Sequence, residues 1–60
     1  MQHIKEIERW LEKSGIPEER LGLLAAANPY AVGRIRDGTA QVRTLDAVLN
    51  YIRKNRPTSS

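Results

Sequence analysis

Apolar residues along the chain fall into four groups at helical spacing, each bounded by residues that start or stop a helix. In the segment 2–13, QHIKEIERWLEK, Ile4, Ile7 and Leu11 recur every three or four residues with Trp10 beside them. Lys5, Glu6, Glu8, Arg9, Glu12 and Lys13 fill the other side. Ser14-Gly15 stops this helix, and Pro17 fits only the start of the next. The second group, EERLGLLAAA, begins with Glu18 and Glu19 at its N-terminal end, where the helix dipole favours acids. Its spacing turns Leu21, Leu24 and Ala25 inward. The third helix opens on Asn28 as N-cap and Pro29 at the first position, where a missing N–H costs nothing. Gly38 closes it. After the loop TAQVR, Thr44 is the expected cap of a fourth helix, LDAVLNYIRKN. There Leu45, Val48, Leu49 and Ile52 repeat at i, i+3, i+4 and i+7. Residues 57–60, PTSS, read as a disordered tail behind a single domain spanning 1–56.

Wound at about 100° per residue, the third helix separates two faces. Val32 and Ile35, with Ala31, face inward. Tyr30, Gly33, Arg34 and Asp37, at i, i+3, i+4 and i+7, face out. A glycine inside a helix costs about 1 kcal/mol relative to alanine. Three readings of Gly33 stand side by side. The helix backbone lies close against a partner there, a neighbouring helix of the same protein passes close by, or the glycine is neutral drift.

Composition removes several classes of function. Sixty residues make one domain, and a chain of this length buries only about 60% of its unfolded surface. With no Cys and no Phe, and only Trp10, Tyr30 and Tyr51 as large aromatics, disulfide and cysteine–zinc scaffolds are excluded. A compact all-α packing of four helices remains. No apolar run approaches the roughly 20 residues of a membrane span, and no signal-peptide core follows Met1. A cytoplasmic protein is the expectation. One His, no cluster of metal-spaced carboxylates and no glycine-rich phosphate loop argue against an enzyme. So does a core too small for a pocket of about 300 Å³. No cofactor and no small-molecule ligand are expected.

The charge is uneven. The net charge is +3, made of −1 over residues 1–27 and +4 over residues 28–60. A positive half points to a polyanion, most often nucleic acid, although a well-solvated surface would look the same.

A short helix, a tight turn and a capped basic helix make a helix-turn-helix, whose second helix enters the major groove of DNA. Over residues 16–52 the chain resembles the lambda-repressor-like regulators of the Cro/CI type, the XRE family. The resemblance rests on RLGLLAAANPYAVGRIRDG followed by TLDAVLNYI. Leu21-Gly22 stands where the family has Leu-Ala, Ala26-Ala27 is the small pair at the turn, and Asn28 is the polar cap. Val32 and Ile35 are the apolar pair of the recognition helix, and RIRDG is similar to its usual ending. The chain departs from the pattern at Gly22, at Pro17 in place of a Ser or Thr cap, and at Ala26 in place of a turn glycine. A left-handed Ala26 would cost about 1–2 kcal/mol. Four helices are visible, where many members have five.

The resemblance implies a small phage or bacterial repressor, a homodimer reading a palindromic operator through residues 28–37. Arg34 carries two donors that match the O6/N7 edge of guanine; its plainer role is an ion pair with Asp37 on the same helix. Asp37 either orients Arg34 or accepts from a cytosine amino group. Tyr30 meets a thymine methyl or a phosphate, or packs on the second helix. Asn28 is first a cap and second a DNA contact. Arg36, Thr39, Gln41, Arg43 and the N–H groups around Thr44 are placed for phosphates. Trp10 belongs to the core and His3 to the surface, and Arg53, Lys54 and Arg56 make a solubilising end. The rim at Tyr51 is the candidate dimer surface, with Trp10 and the first helix as the alternative. The competing class is a helical protein-interaction module, antitoxin-like or an assembly adaptor, because fold does not fix function.

Overall fold

Four helices form in the order that the periodicity predicts: α1 (Gln2–Ser14), α2 (Glu18–Ala26), α3 (Ala31–Asp37) and α4 (Val42–Lys54). The computed structural model describes residues 2–56, and no strand occurs among them. The tail expected at 57–60 lies outside the described residues. α4 packs on each of the other three helices, and α3 also packs on α1 and α2. The core is one cluster with contributions from every helix. Ile7 and Trp10 come from α1, Leu21 from α2, Ala31, Val32 and Ile35 from α3, and Val48, Leu49 and Ile52 from α4. The radius of gyration, 10.3 Å, is that of a compact chain of this length. No helix of the described residues is long and apolar enough to cross a membrane.

Trp10 ties the first helix to the end of the last. Its ring is 7% exposed, and its indole Nε1–H donates to the carbonyl of Asn55 at 2.9 Å. Tyr51, half-buried, meets it edge-on with ring centroids 6.1 Å apart. A large aromatic with its N–H satisfied is an efficient way to fill a core that has no phenylalanine.

The α2–α3 connection is the tightest part of the molecule, and it corrects several expectations. α2 ends at Ala26, and Ala27 is the residue held left-handed, with φ 55°. The strain expected at Ala26 therefore sits one residue later, where the Ala27 N–H reaches back to the Leu23 carbonyl at 3.1 Å. Asn28 is not the N-cap of α3, a position held by Tyr30 without a side-chain cap bond; it holds the turn before the helix instead. Its side-chain Oδ1 accepts from the Tyr30 N–H at 2.9 Å and its carbonyl accepts from the Ala31 N–H at 3.1 Å. Pro29 lies within that turn, and the regular helix begins two residues later than its expected first position. Leu24 is not on the inner face of α2: it is 51% exposed, while Leu21 and Gly22 are buried. Gly22 sets this rotation. A Cβ at that position would overlap the carbonyl oxygen of Asn28, so the bare side of α2 has to face the turn. Ala27→Gly removes a left-handed strain of about 1–2 kcal/mol at an entropic cost of about 0.5–1 kcal/mol. A gain near 0.5–1 kcal/mol in a thermal or urea melt is the expected result.

Thr44 does not cap α4. Gln41, extended at φ −71° and ψ 156°, is the N-cap, and its carbonyl accepts from the Leu45 N–H at 3.0 Å. Thr44 lies in the first turn of the helix. The chain leaves α3 through left-handed Gly38, and the N–H groups of Thr39 and Ala40 both close on the Arg34 carbonyl at 2.8 and 3.2 Å. That closure shortens the loop and lets α4 begin earlier.

Candidate nucleic-acid interface

The buried side of α3 is Ala31, Val32 and Ile35, so its opposite side is turned out of the molecule. Tyr30, just before the first turn, is 68% exposed. Arg34 and Asp37 are exposed one and two turns further along. Gly33 stands between them with nothing within 4 Å of where a Cβ would be. No neighbouring helix explains this glycine, which removes the packing reading. Tyr30 does not pack away on α2 either. Arg34 and Asp37 form no ion pair among the described residues, so the guanidinium and the carboxylate are each free to meet a partner.

A shallow depression runs along this face from the start of α2 to the loop after α3. It is lined by Glu18, Glu19, Tyr30, Gly33, Arg34 and Thr39, among others. Its charge is mixed. Glu18 is neutralised by Arg36, whereas Glu19 and Asp37 are uncompensated by any ion pair among the described residues. Among the described residues Arg34 is thus the one cation lining this depression, and acids border it.

Arg36 points elsewhere. Its guanidinium donates to Glu8 of α1 at 3.1 Å and to Glu18 of α2 at 2.9 Å, bridging three helices. The bonds to Glu18 first, then Glu8, raise its pKa above the ordinary guanidinium value. A phosphate would have to displace both carboxylates to use it. Arg53 likewise holds Glu6 at 3.1 Å, and that bond keeps the Glu6 carboxyl below the usual carboxylate range. Exposed pairs of this kind add little stability. Their effect here is to decide which cations remain available.

The α3–α4 loop and the first turn of α4 supply the other expected contacts. Thr39, Gln41 and Arg43 are exposed and Thr44 is half-buried. The Thr39 hydroxyl donates to the Arg34 carbonyl at 3.4 Å, fixing the loop to the end of α3. Gln41 makes no side-chain cap bond, and the first N–H groups of α4, near Arg43 and Thr44, have no partner among the described residues. Asn28 spends its side-chain oxygen on the Tyr30 N–H within the turn. The face therefore collects Tyr30, Gly33, Arg34 and Asp37 on α3. Thr39, Gln41, Arg43 and Thr44 follow it along the chain, and Arg36 is withdrawn.

Two features of this surface escaped sequence reasoning. The partners of Arg36 lie 28 and 18 residues away, and no local spacing marks them. Leu23 and Leu24 stand out on α2 at 54% and 51% exposure, hidden in the sequence by a continuous apolar run. Comparison with protein-family models, with curated proteins and with solved structures finds no match to this chain.

Proposed function

We propose that this chain is a DNA-binding transcriptional regulator of the lambda-repressor-like kind, acting in the cytoplasm, with α2 and α3 as its helix-turn-helix. α3 enters the major groove. The observation that carries the reading is Gly33. A helix-weakening residue faces open space on the outer side of a short helix, next to an arginine that forms no ion pair among the described residues. Internal packing gives no reason for it, and close approach of the helix backbone to a flat polar partner does.

The roles follow from position. Arg34 offers two parallel donors to a guanine edge. Tyr30 reaches an apolar base group or a phosphate from the start of the helix, and Asp37 selects against a poorly placed acceptor at its end. Arg43, Gln41, Thr39 and the open N–H groups at the start of α4 hold the backbone, which fixes register and carries no sequence information. Arg36 is engaged by Glu8 of α1 and Glu18 of α2 and takes no part in these contacts. One module of this size makes few base contacts, so a homodimer on a palindromic operator, which it blocks to polymerase, is the economical arrangement. The acids bordering α3 fit a protein whose non-specific affinity is kept low.

The second reading, a protein-interaction module, draws on a separate observation: the exposed leucines of α2. One experiment divides the two. Selection from random duplex DNA, followed by binding at several salt concentrations, is expected to yield a palindromic site. The logarithm of affinity should fall linearly with the logarithm of salt concentration. Equal, weak binding to every sequence, or none at low salt, transfers the assignment to the interaction module.

A further inference from the structure

The outer side of α2 is built differently from the other exposed helix faces. Leu21, Gly22, Ala25 and Ala26 turn toward the core, which leaves Glu19, Arg20, Leu23, Leu24 and Ala27 outside. Leu23 and Leu24, 54% and 51% exposed, make an apolar centre. One cation, Arg20, stands at the N-terminal end. At the other end α2 has no basic residue in its last turn. The carbonyls of Leu24, Ala25 and Ala26 receive no donor among the described residues. The N–H of residue 28 goes to Gly22, residue 29 is a proline, and the N–H of Tyr30 goes to the Asn28 side chain. The face therefore runs from Arg20, with Glu19 on its flank, across two leucines, to a negative helix end that no basic residue of α2 compensates.

We propose that two copies of this chain meet through this face, α2 against α2 and antiparallel, about a twofold axis beside Leu23 and Leu24. A twofold contact uses one patch twice and requires it to be complementary to itself. The antiparallel arrangement meets that requirement. Leu23 of each copy covers Leu24 of the other, and Arg20 of each copy stands over the open carbonyls of the other α2. The parallel arrangement brings the two arginines together and leaves both negative ends uncovered. Tyr51, the rim expected from the sequence, is half-buried against Trp10 and offers no comparable apolar group. A nine-residue helix spans only about 13 Å, so the contact falls below the roughly 1,200 Å² of stable interfaces. The free dimer is weak and is strengthened when both copies sit on one DNA. This inference rests on the regulator reading for the need of a pair, and not for the surface that makes it.

The chain has no cysteine, so introduced thiols report the geometry directly. Under mild oxidation a mixture of Arg20→Cys and Ala27→Cys is expected to cross-link faster than either variant alone, and Leu24→Cys to cross-link with itself. In sedimentation the wild-type chain should pass from monomer to dimer between about 10 µM and about 1 mM. The double variant Leu23→Glu, Leu24→Glu should associate at least about tenfold more weakly, because two unpaired carboxylates would be buried in each copy. Its circular dichroism should be unchanged, since both side chains are exposed. Three results overturn the proposal: a wild-type monomer throughout, both free and on DNA; a double variant that dimerises like wild type; or Arg20→Cys cross-linking alone as fast as the mixture. A dimer with these properties that ignores DNA would instead sink the regulator reading and leave the interface standing.

Discussion

Gly22→Ala leaves most of the chain unfolded, whereas Gly33→Ala leaves it folded and about 1 kcal/mol more stable. The two glycines are alike in sequence, each inside a short helix, and opposite in environment. A methyl group at position 22 runs into the backbone oxygen of Asn28, with the Asn28 carbonyl carbon at 3.3 Å and the Ala31 side chain at 3.4 Å. That oxygen has nowhere to go. It accepts the Ala31 N–H, and the N–H of the same residue is bound to Gly22, both at 3.1 Å. Overpacking a core costs about 1–3 kcal/mol where side chains can yield, and here the obstacle is main chain. A domain this small has only about 3–5 kcal/mol to lose. At position 33 nothing stands within 4 Å, so alanine adds helix propensity and no clash. Thermal melts followed by circular dichroism decide it. A wild-type melt for Gly22→Ala would show that α2 and the turn are not held this closely. Gly33→Leu extends the contrast to function: it is expected to fold and to lose operator binding, because a bulky group then stands between the helix and the base edges.

The outer face of α3 was legible because three-residue and four-residue spacings dominate a helix whose inner side is Ala31, Val32 and Ile35. The same spacing failed on α2. Leu21, Leu23, Leu24, Ala25 and Ala26 are almost continuously apolar, so several rotations bury equally good stripes. The choice is made by Gly22, a residue with no side chain to enter the pattern. Three consecutive alanines, 25–27, likewise give no mark of which one turns left-handed; that was fixed by the hydrogen bonds of Asn28. The start of α4 shifted from Thr44 to Gln41 because closure of the Thr39 and Ala40 N–H groups on Arg34 shortened the loop, which is a tertiary event. Within the candidate site the positions were legible and their electrostatics were not. The charge on Arg36 is spent on carboxylates of two other helices, and the borders of α3 turned out acidic. Charge counted by halves of the chain cannot show either.

Arg34→Ala and Arg43→Ala should fail in different ways on DNA. Arg34 projects from the exposed side of α3 with no carboxylate of the described residues holding it, so its five donors are available to a base edge. Removing a bidentate bond to guanine costs about 1–3 kcal/mol on the selected operator and relaxes preference at one base pair in each half-site. Arg43 projects from the first turn of α4, beside N–H groups that have no partner among the described residues. Removing it should weaken every sequence alike and flatten the salt dependence by about 0.9 for each phosphate that is no longer neutralised. Arg36→Ala is the control that separates charge from position. It removes the same charge, yet its guanidinium is already bound to Glu8 and Glu18, so the salt dependence should stay as in wild type. Each variant is measured on the operator, on a single-base mutant operator and on unrelated duplex, at several salt concentrations. Equal loss on all three DNAs for Arg34→Ala would mean that α3 does not read sequence. An Arg36→Ala slope that falls as far as that of Arg43→Ala would mean that any surface arginine suffices, and the assignment of this face to DNA would fail with it.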